Sequence, residues 1–441
     1  LACGLVLSMG RAAPVLAQEA AQEAQPAPAT RVLTLSEALA TARKNQPDLR
    51  RARANTEAAL ARSHEALAPL LPQVLGTASY QRTTANFIPR PGAIPNSAAS
   101  AVRRSPDYGE TFNFYNFVVT ATQLITDFGN SHLAYQASKE AARAGAEDER
   151  AVERDVTLMV RNAFFQARAL GEMVAVARES LQNEQRHLEQ AQAFVEVGSR
   201  ADIDLATART AVANAQVQVI QAENAYAIAK AALNQAMGLD DDRDYELAAE
   251  SLPPLSDEDR TSAELIREAT AHRPELLALE RRARAQQLYV RAANGGYGPS
   301  LSATSSVLAG GTEMSSLVGN WNVGLLLSWP LFQGGASRAQ TTLARANEQS
   351  ALAERDAKRL AVRFEVEQAR LGVRAAKAVQ QAALEACESA REQLRLAEGR
   401  YAEGVGNVVE LGDAQVALTR AEGQRVQADY GLSMARALFL Q

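Results

Sequence analysis

Asn45-Gln46-Pro47-Asp48-Leu49 and His272-Arg273-Pro274-Glu275-Leu276 stand 227 residues apart and share one design: two polar residues, a proline, an acid and a leucine. Pro72-Gln73-Val74 returns at the same distance as Pro299-Ser300-Leu301. From Phe117 onward the offset becomes 206, so that Leu124-Ile125-Thr126-Asp127-Phe128-Gly129 falls on Pro330-Leu331-Phe332-Gln333-Gly334-Gly335, and Gly198 on Gly404. Leu205, Ala208, Ala215 and Ala229 likewise fall on Leu411, Ala414, Ala421 and Ala435. The change of offset leaves about 21 extra residues between Val74 and Phe117, an interval that holds the loop-like run Phe87-Ile88-Pro89-Arg90-Pro91-Gly92-Ala93-Ile94-Pro95-Asn96. A duplicated unit with a variable loop predicts a pseudo-symmetric scaffold rather than one catalytic cleft. The repeats read as 33–240 and 262–441, joined by a linker over 241–261.

No Pro/Gly/Ser-rich stretch divides the 441 residues, so the duplication belongs to one architecture. Aromatics are only 5% of the chain, which favours long helices over an aromatic-rich globular core. The net charge of −5 arises from acids and bases that alternate along the chain, which argues against nucleic acid as a partner. At the N-terminus, Leu1-Ala2-Cys3-Gly4-Leu5-Val6-Leu7 followed by Val15-Leu16-Ala17 resembles a secretory signal cleaved after Ala17, with a disordered polar linker over 18–32. Leu1-Ala2-Cys3-Gly4 is also similar to a lipoprotein acylation site, so lipidation at Cys3 stays open. With the signal removed, Cys387 is the remaining cysteine, and an oxidising compartment is tolerated without an intrachain disulfide.

No window supplies about 18 uninterrupted apolar residues, so a membrane signal has to be carried by strands. Helices are expected at roughly 36–68, 131–196, 203–238, 262–293, 337–402 and 408–440, with Pro47 and Pro274 restarting helices as first-turn prolines. Their apolar residues recur every seven positions: Val174, Leu181, Leu188 and Val195, then Leu205, Val212, Val219, Tyr226 and Leu233. In the second repeat they are Cys387, Leu394 and Tyr401, then Leu411, Leu418, Leu432 and Phe439, with Arg425 as the polar break. Such spacing predicts left-handed coiled coils, with Cys387 as a packed core residue rather than a nucleophile. The stretch 131–196 spans about 100 Å as a helix, and 203–238 about half of that. Two short helices stacked end to end beside each long one give four columns per chain.

Strand pairs are expected at 73–83 with 111–124 and at 299–309 with 320–332. In Trp321-Asn322-Val323-Gly324-Leu325-Leu326-Leu327-Ser328-Trp329, one face carries Trp, Val, Leu, Leu and Trp; Tyr115, Phe117, Val119 and Ala121 form the matching face of its mate. An apolar face bounded by aromatics fits a strand crossing hydrocarbon, with Trp321, Trp329 and Tyr115 as membrane-interface anchors. A half-buried soluble sheet is the alternative. Four strands cannot close a barrel, and open edges in lipid leave backbone groups unpaired at several kcal/mol each, so insertion demands an oligomer.

Together the duplication, the turn Trp329-Pro330-Leu331-Phe332-Gln333-Gly334-Gly335, and Tyr401-Ala402-Glu403-Gly404 followed by Val408-Val409-Glu410-Leu411-Gly412-Asp413-Ala414 resemble the TolC-like outer-membrane efflux family from about Leu33 to Phe439. The resemblance implies a mixed, mostly α fold: a homotrimeric α-barrel of long coiled-coil helices joined to a transmembrane β-barrel with four strands per protomer. It implies a passive exit duct in the Gram-negative outer membrane that extends into the periplasm and serves a drug efflux pump or type I secretion system. Its implied partners are outer-membrane lipid, a periplasmic adaptor, and an inner-membrane transporter of resistance-nodulation-division or ABC type. By the same resemblance, Tyr401 is a gating tyrosine, and Glu410 and Asp413 are acids ringing the closed periplasmic aperture, with Asp204 at the matching reversal. The hairpin tips Gly198-Ser199 and Gly404-Val405-Gly406 become the adaptor contacts. The family's locking arginine near Gly406 is absent here, and Arg200 at the first reversal is the substitute to examine.

Plainer roles stay open for these residues. Tyr401 lies on the heptad series, and Glu410 and Asp413 suit the positive end of a helix dipole. Gly404-Val405-Gly406 lacks the preceding strand of a phosphate loop. His64, His132, His187 and His272 sit singly without metal-ligand spacing, so no enzyme, metal or cofactor is expected. A non-conducting, periplasm-spanning coiled-coil tether or adaptor is the rival function.

Overall fold

The computed structural model describes residues 31–84, 111–240 and 245–441. The expected signal with Cys3, residues 18–30, the run Phe87–Asn96 and residues 241–244 lie outside the described residues. In chain order the elements are β1 (Arg31–Leu33), α1 (Leu35–Asn45), α2 (Pro47–Leu67), β2 (Gln73–Thr84), β3 (Thr111–Thr126), α3 (Asn130–Glu196), α4 (Asp202–Met237), β4 (Tyr245–Leu247), α5 (Ser262–His272), α6 (Pro274–Gly295), β5 (Ser300–Gly311), β6 (Val318–Ser328), α7 (Ala336–Ala402) and α8 (Val408–Phe439). A 3-10 turn, Ala68–Leu70, follows α2.

Pro47 and Pro274 open α2 and α6, and the residues before them, Gln46 and Arg273, are extended, as a following proline demands. The two long helices, α3 and α7, are each 67 residues. Both start after a left-handed turn: Gly129 has φ 84° and Gly335 φ 88°. Before them, Phe128 at φ 56° occupies the place that Gly334 takes at φ 60° in the second repeat. The Asp127 carboxylate steadies the first turn by accepting from the Ser131 N–H at 2.8 Å.

The helices form four columns. On one side of α3 lie α1 and α2, with α4 continuing below them; on its other side lie α6 and α8, and α7 packs against α5, α6 and α8. Gly238 makes the first end-to-end junction possible. It ends α4 at φ 70°, and a Cβ there would stand 2.9 Å from the Asn45 carbonyl carbon and the Gln46 backbone. Gln46 Nε2 donates to the Ala236 carbonyl at 3.1 Å, which satisfies one of the last carbonyls of α4. Val160, Phe164, Leu233 and Met237 form the core at this level, joined by Leu33, Leu49 and Tyr245. Toward the far end, the heptad residues Cys387, Leu394, Tyr401, Leu411 and Leu418 pack together as expected. The outer columns keep apolar side chains exposed, among them Ile220 and Ile228 on α4 and Leu360 and Phe364 on α7.

The larger sheet has the order β2-β3-β5-β6, antiparallel throughout, with β2 and β6 as its edge strands among the described residues. Its register sorts the two faces. Rows such as Val74–Ala121–Ser305–Val323 and Gly76–Val119–Val307–Trp321 alternate with rows such as Gln73–Thr122–Thr304–Gly324 and Leu75–Thr120–Ser306–Asn322. The first face is apolar and uncovered, with Trp321 76%, Val323 70% and Leu325 71% exposed. A half-buried soluble sheet would hide that face, and this one does not.

Two expectations need correction. The strand expected over 320–332 stops at Ser328, because Pro330 has no N–H for a ladder and the Gly334–Gly335 turn diverts the chain into α7. Trp329 therefore lies just beyond the paired residues, where its Nε1–H donates to the Tyr297 carbonyl at 3.2 Å. Arg31 and Val32, from the expected 18–32 linker, also prove ordered. They belong to β1, which pairs in parallel with β4 from the 241–261 connection, Leu33 opposite Leu247. Three-residue strands carry too little periodicity to be seen in a sequence.

Candidate functional site

The end of the bundle farthest from the sheet is made by two reversals, α3 into α4 and α7 into α8. Each closes on a left-handed glycine, Gly198 at φ 71° and Gly404 at φ 76°. At the first, the Ser199 backbone N–H and side-chain hydroxyl both donate to the Phe194 carbonyl, each at 2.9 Å. At the second, the N–H groups of Val405 and Gly406 donate to the Arg400 carbonyl at 3.1 and 2.8 Å. Asn407 caps α8, its Oδ1 accepting from the Glu410 N–H at 2.7 Å.

Gly406 is buried and tightly surrounded. A Cβ there would lie 2.9 Å from the Tyr401 nitrogen and 3.0 Å from the Arg400 carbonyl carbon, so this backbone has no room for an arginine at 406. Arg200 reaches across from the other reversal instead. Its Nη2 donates to the Gly406 carbonyl at 2.8 Å, and its guanidinium lies 4.9 Å from the centre of the Tyr401 ring. The two tips of one chain are thereby tied together.

Tyr401 is both a heptad core residue and a member of this clasp. It is 1% exposed and meets Phe194 edge to face at 5.8 Å. Its hydroxyl is buried without a hydrogen-bond partner. Burial pushes the phenol up from its ordinary value, the nearby Asp204 carboxylate pushes it further, and Arg200 partly offsets both.

The remaining acids sit on the surface. Glu410 pairs with Arg400 Nε at 3.0 Å, so it is engaged within its own hairpin; one turn on, Asp413 is exposed. Both side chains of that ion pair are about half exposed, so it contributes ~0–1 kcal/mol. Glu196, Asp202 and Glu403 are also exposed near the tips, against the guanidiniums of Arg200 and Arg400, so this end of the molecule is acidic. Gly198, Ser199, Gly404 and Val405 form the outermost surface, together with the exposed Val197, Ile203 and Val409, whereas Gly406, expected among the contact residues of the tip, is buried beneath them. Trp321, Trp329 and Tyr115 lie at the opposite end of the molecule, where Tyr115 stacks on Tyr80 at 5.2 Å between ring centres.

Sequence reasoning missed several partners. Arg400 sits beside the glycine turn, and Asn407 followed three residues later by Glu410 is a capping pattern that could have been noticed. Ser180, Asn183, Glu184 and His187 fall at i, i+3, i+4 and i+7 on one face of α3, and all four are buried. Asn183 Nδ2 donates to Gln415 on α8 at 3.4 Å, and His187 Nε2 faces Glu398 on α7 at 3.3 Å. Among the described residues no group of three metal-ligating side chains gathers, and no helix is long and apolar enough to cross a membrane.

This architecture has known counterparts. A crystal structure of a membrane protein from Pseudomonas aeruginosa superposes with a TM-score of 0.79 at 23% identity, covering 92% of each chain. The CmeC outer membrane channel of Campylobacter jejuni gives 0.80 at 19% identity, covering 92% of this chain and 84% of that one. Protein CyaE of Bordetella pertussis is 30% identical over 419 residues, 92% of this chain and 82% of CyaE. The pyoverdine export outer membrane protein OpmQ of Pseudomonas putida is 27% identical over 409 residues, 91% of this chain and 83% of OpmQ. The profile described as outer membrane efflux protein matches residues 38–239 and 265–438. With most of both repeats matched, the chain belongs to the outer membrane efflux protein family, a family of TolC-like channels in the outer membrane that reach into the periplasm.

Proposed function

We propose that three copies of this chain close their sheets edge to edge into a twelve-stranded barrel and continue it as a twelve-helix α-barrel, forming a passive exit duct. The observation that carries this is the open four-stranded sheet, uncovered on its apolar face and ending, among the described residues, in the edge strands β2 and β6, from which the 67-residue helices α3 and α7 descend. In hydrocarbon each unpaired edge group costs several kcal/mol, and the only cure is another strand. The exposed apolar residues of α4 and α7, the two outer columns, then meet between copies. A tether has no use for an uncovered apolar sheet, which disfavours the rival function.

The duct is gated at the helical tips. The Arg200 clasp on Gly406 and Tyr401 holds the resting state, and Glu410, Asp413 and Asp204, repeated in three copies, surround the aperture and attract cations. A periplasmic adaptor engages the outermost residues, Gly198, Ser199, Gly404 and Val405, which the buried Gly406 supports from beneath. The energy for export comes from an inner-membrane transporter, of resistance-nodulation-division or ABC type, in a tripartite pump or type I secretion system.

Single-channel conductance in planar bilayers tests this. The wild type is expected to give small, cation-selective steps, and the Glu410→Ala/Asp413→Ala protein larger or less selective ones. Correctly folded, inserted protein that never conducts would falsify the duct and restore the tether.

A further inference from the structure

The connection between the repeats carries a buried carboxylate away from both the helical tips and the larger sheet. Glu258 sits in the turn before α5, yet its side chain is only 2% exposed. Its Oε1 receives Arg436 Nε of α8 at 2.8 Å and the Leu255 backbone N–H at 3.0 Å, and its Oε2 pairs with the Lys377 ammonium of α7. Arg436 also donates through Nη1 to the Leu252 carbonyl at 2.7 Å. Burial raises the carboxyl pKa, but the hydrogen bonds from Lys377, Leu255 and Arg436 outweigh it and hold the group ionised, below the usual carboxylate range. The same connection is tied to α3, where Arg168 donates to the Glu250 carbonyl, and to α1, where the Leu35 N–H donates to the Glu250 carboxylate at 3.2 Å.

The position of these contacts matters. Arg436 is in the last turn of α8, and Lys377 is 25 residues from the lower end of α7. The strap therefore crosses the bundle where the short helices meet end to end. Below it lie only the two hairpins, α3 with α4 and α7 with α8. We propose that Glu258 is a positioning residue that pins α7 to α8 at this level and serves as the fulcrum below which the second hairpin moves. This rests on the tip-gated duct proposed above. Without the pin, α7 and α8 are held together below this level by their heptad core and by the Gln380–Asp429 and Arg391–Glu422 contacts, but lose the tie that fixes both to the connection between the repeats.

Hydrogen-exchange mass spectrometry of the detergent-solubilised full chain tests the pin without relying on conduction. Glu258→Gln removes the charge shared by both helices. Lys377→Gln, at a half-exposed site, releases α7 alone and covers the case in which the first variant fails to fold. Both are expected to raise exchange about tenfold in residues 378–402 and 408–430, while α6 and the sheet keep wild-type protection. Unchanged exchange in those stretches overturns the proposal, as does a rise spread equally over α6 and the sheet, which would mark a general loss of stability. Failure of the duct would appear separately, as absent conductance of the wild-type protein.

Discussion

Arg200→Ala removes the side chain whose hydrogen bond to Gly406 and contact with the Tyr401 ring join the two tips. The structure sets the scale of that loss. A guanidinium bonded to the Gly406 carbonyl at 2.8 Å is a charge-assisted hydrogen bond, worth about 1.5–3 kcal/mol. Its stacking on the buried Tyr401 ring adds about 0.5–1 kcal/mol. Arg200 is partly exposed, so solvent takes over some of these interactions, and about 1–2 kcal/mol per chain is the reasonable remainder. At about 1.4 kcal/mol per factor of ten, one clasp shifts the balance between closed and open tips five- to thirtyfold. Single-channel recording should show Arg200→Ala with longer or larger openings than wild type. Arg200→Lys, which keeps the charge but loses the planar stacking, should fall in between. Thermal stability of the helical region should change little, because the hairpins keep their own cores. If Arg200→Ala conducts as the wild type does, the clasp does not hold the resting state.

Other outcomes follow from single contacts. Gly238→Ala places a methyl group 2.9 Å from the Gln46 backbone at a left-handed residue, and should cost about 2–4 kcal/mol in denaturant unfolding. Leu325→Arg puts a charge in the middle of the exposed apolar face, at about 2–4 kcal/mol, and should lower the folded fraction in a lipid-vesicle insertion assay. Burial, with a smaller contribution from Tyr226, pushes the Tyr245 phenol from 10.0 up to about 12. The folded state thus holds this proton more tightly than the unfolded one, so the contribution is complete below pH 10 and declines as pH rises toward 12. Tyr245→Phe should flatten that alkaline decline in a pH series of melting curves.

Much of the molecule was written in local spacing. Seven-residue periodicity marked Cys387, Leu394, Leu411 and Leu418 as core, and they are buried. First-turn prolines fixed the breaks at Gln46 and Arg273, and alternation from Trp321 to Leu327 fixed the face of β6. Each of these signals comes from the geometry of a single helix or strand, so the order of residues alone carries it. The sequence also pointed to Tyr401, Glu410, Asp413 and Arg200, but not to what each one touches. Glu410 turned to Arg400, and Arg200 reached Gly406 across 206 positions. The parallel pairing of β1 with β4 and the buried Glu258 between Lys377 and Arg436 joined segments more than a hundred residues apart. Such contacts have no period and no fixed spacing. They exist only because the columns pack side by side and bring distant turns to the same height, and only the tertiary structure decides which polar group finds which partner.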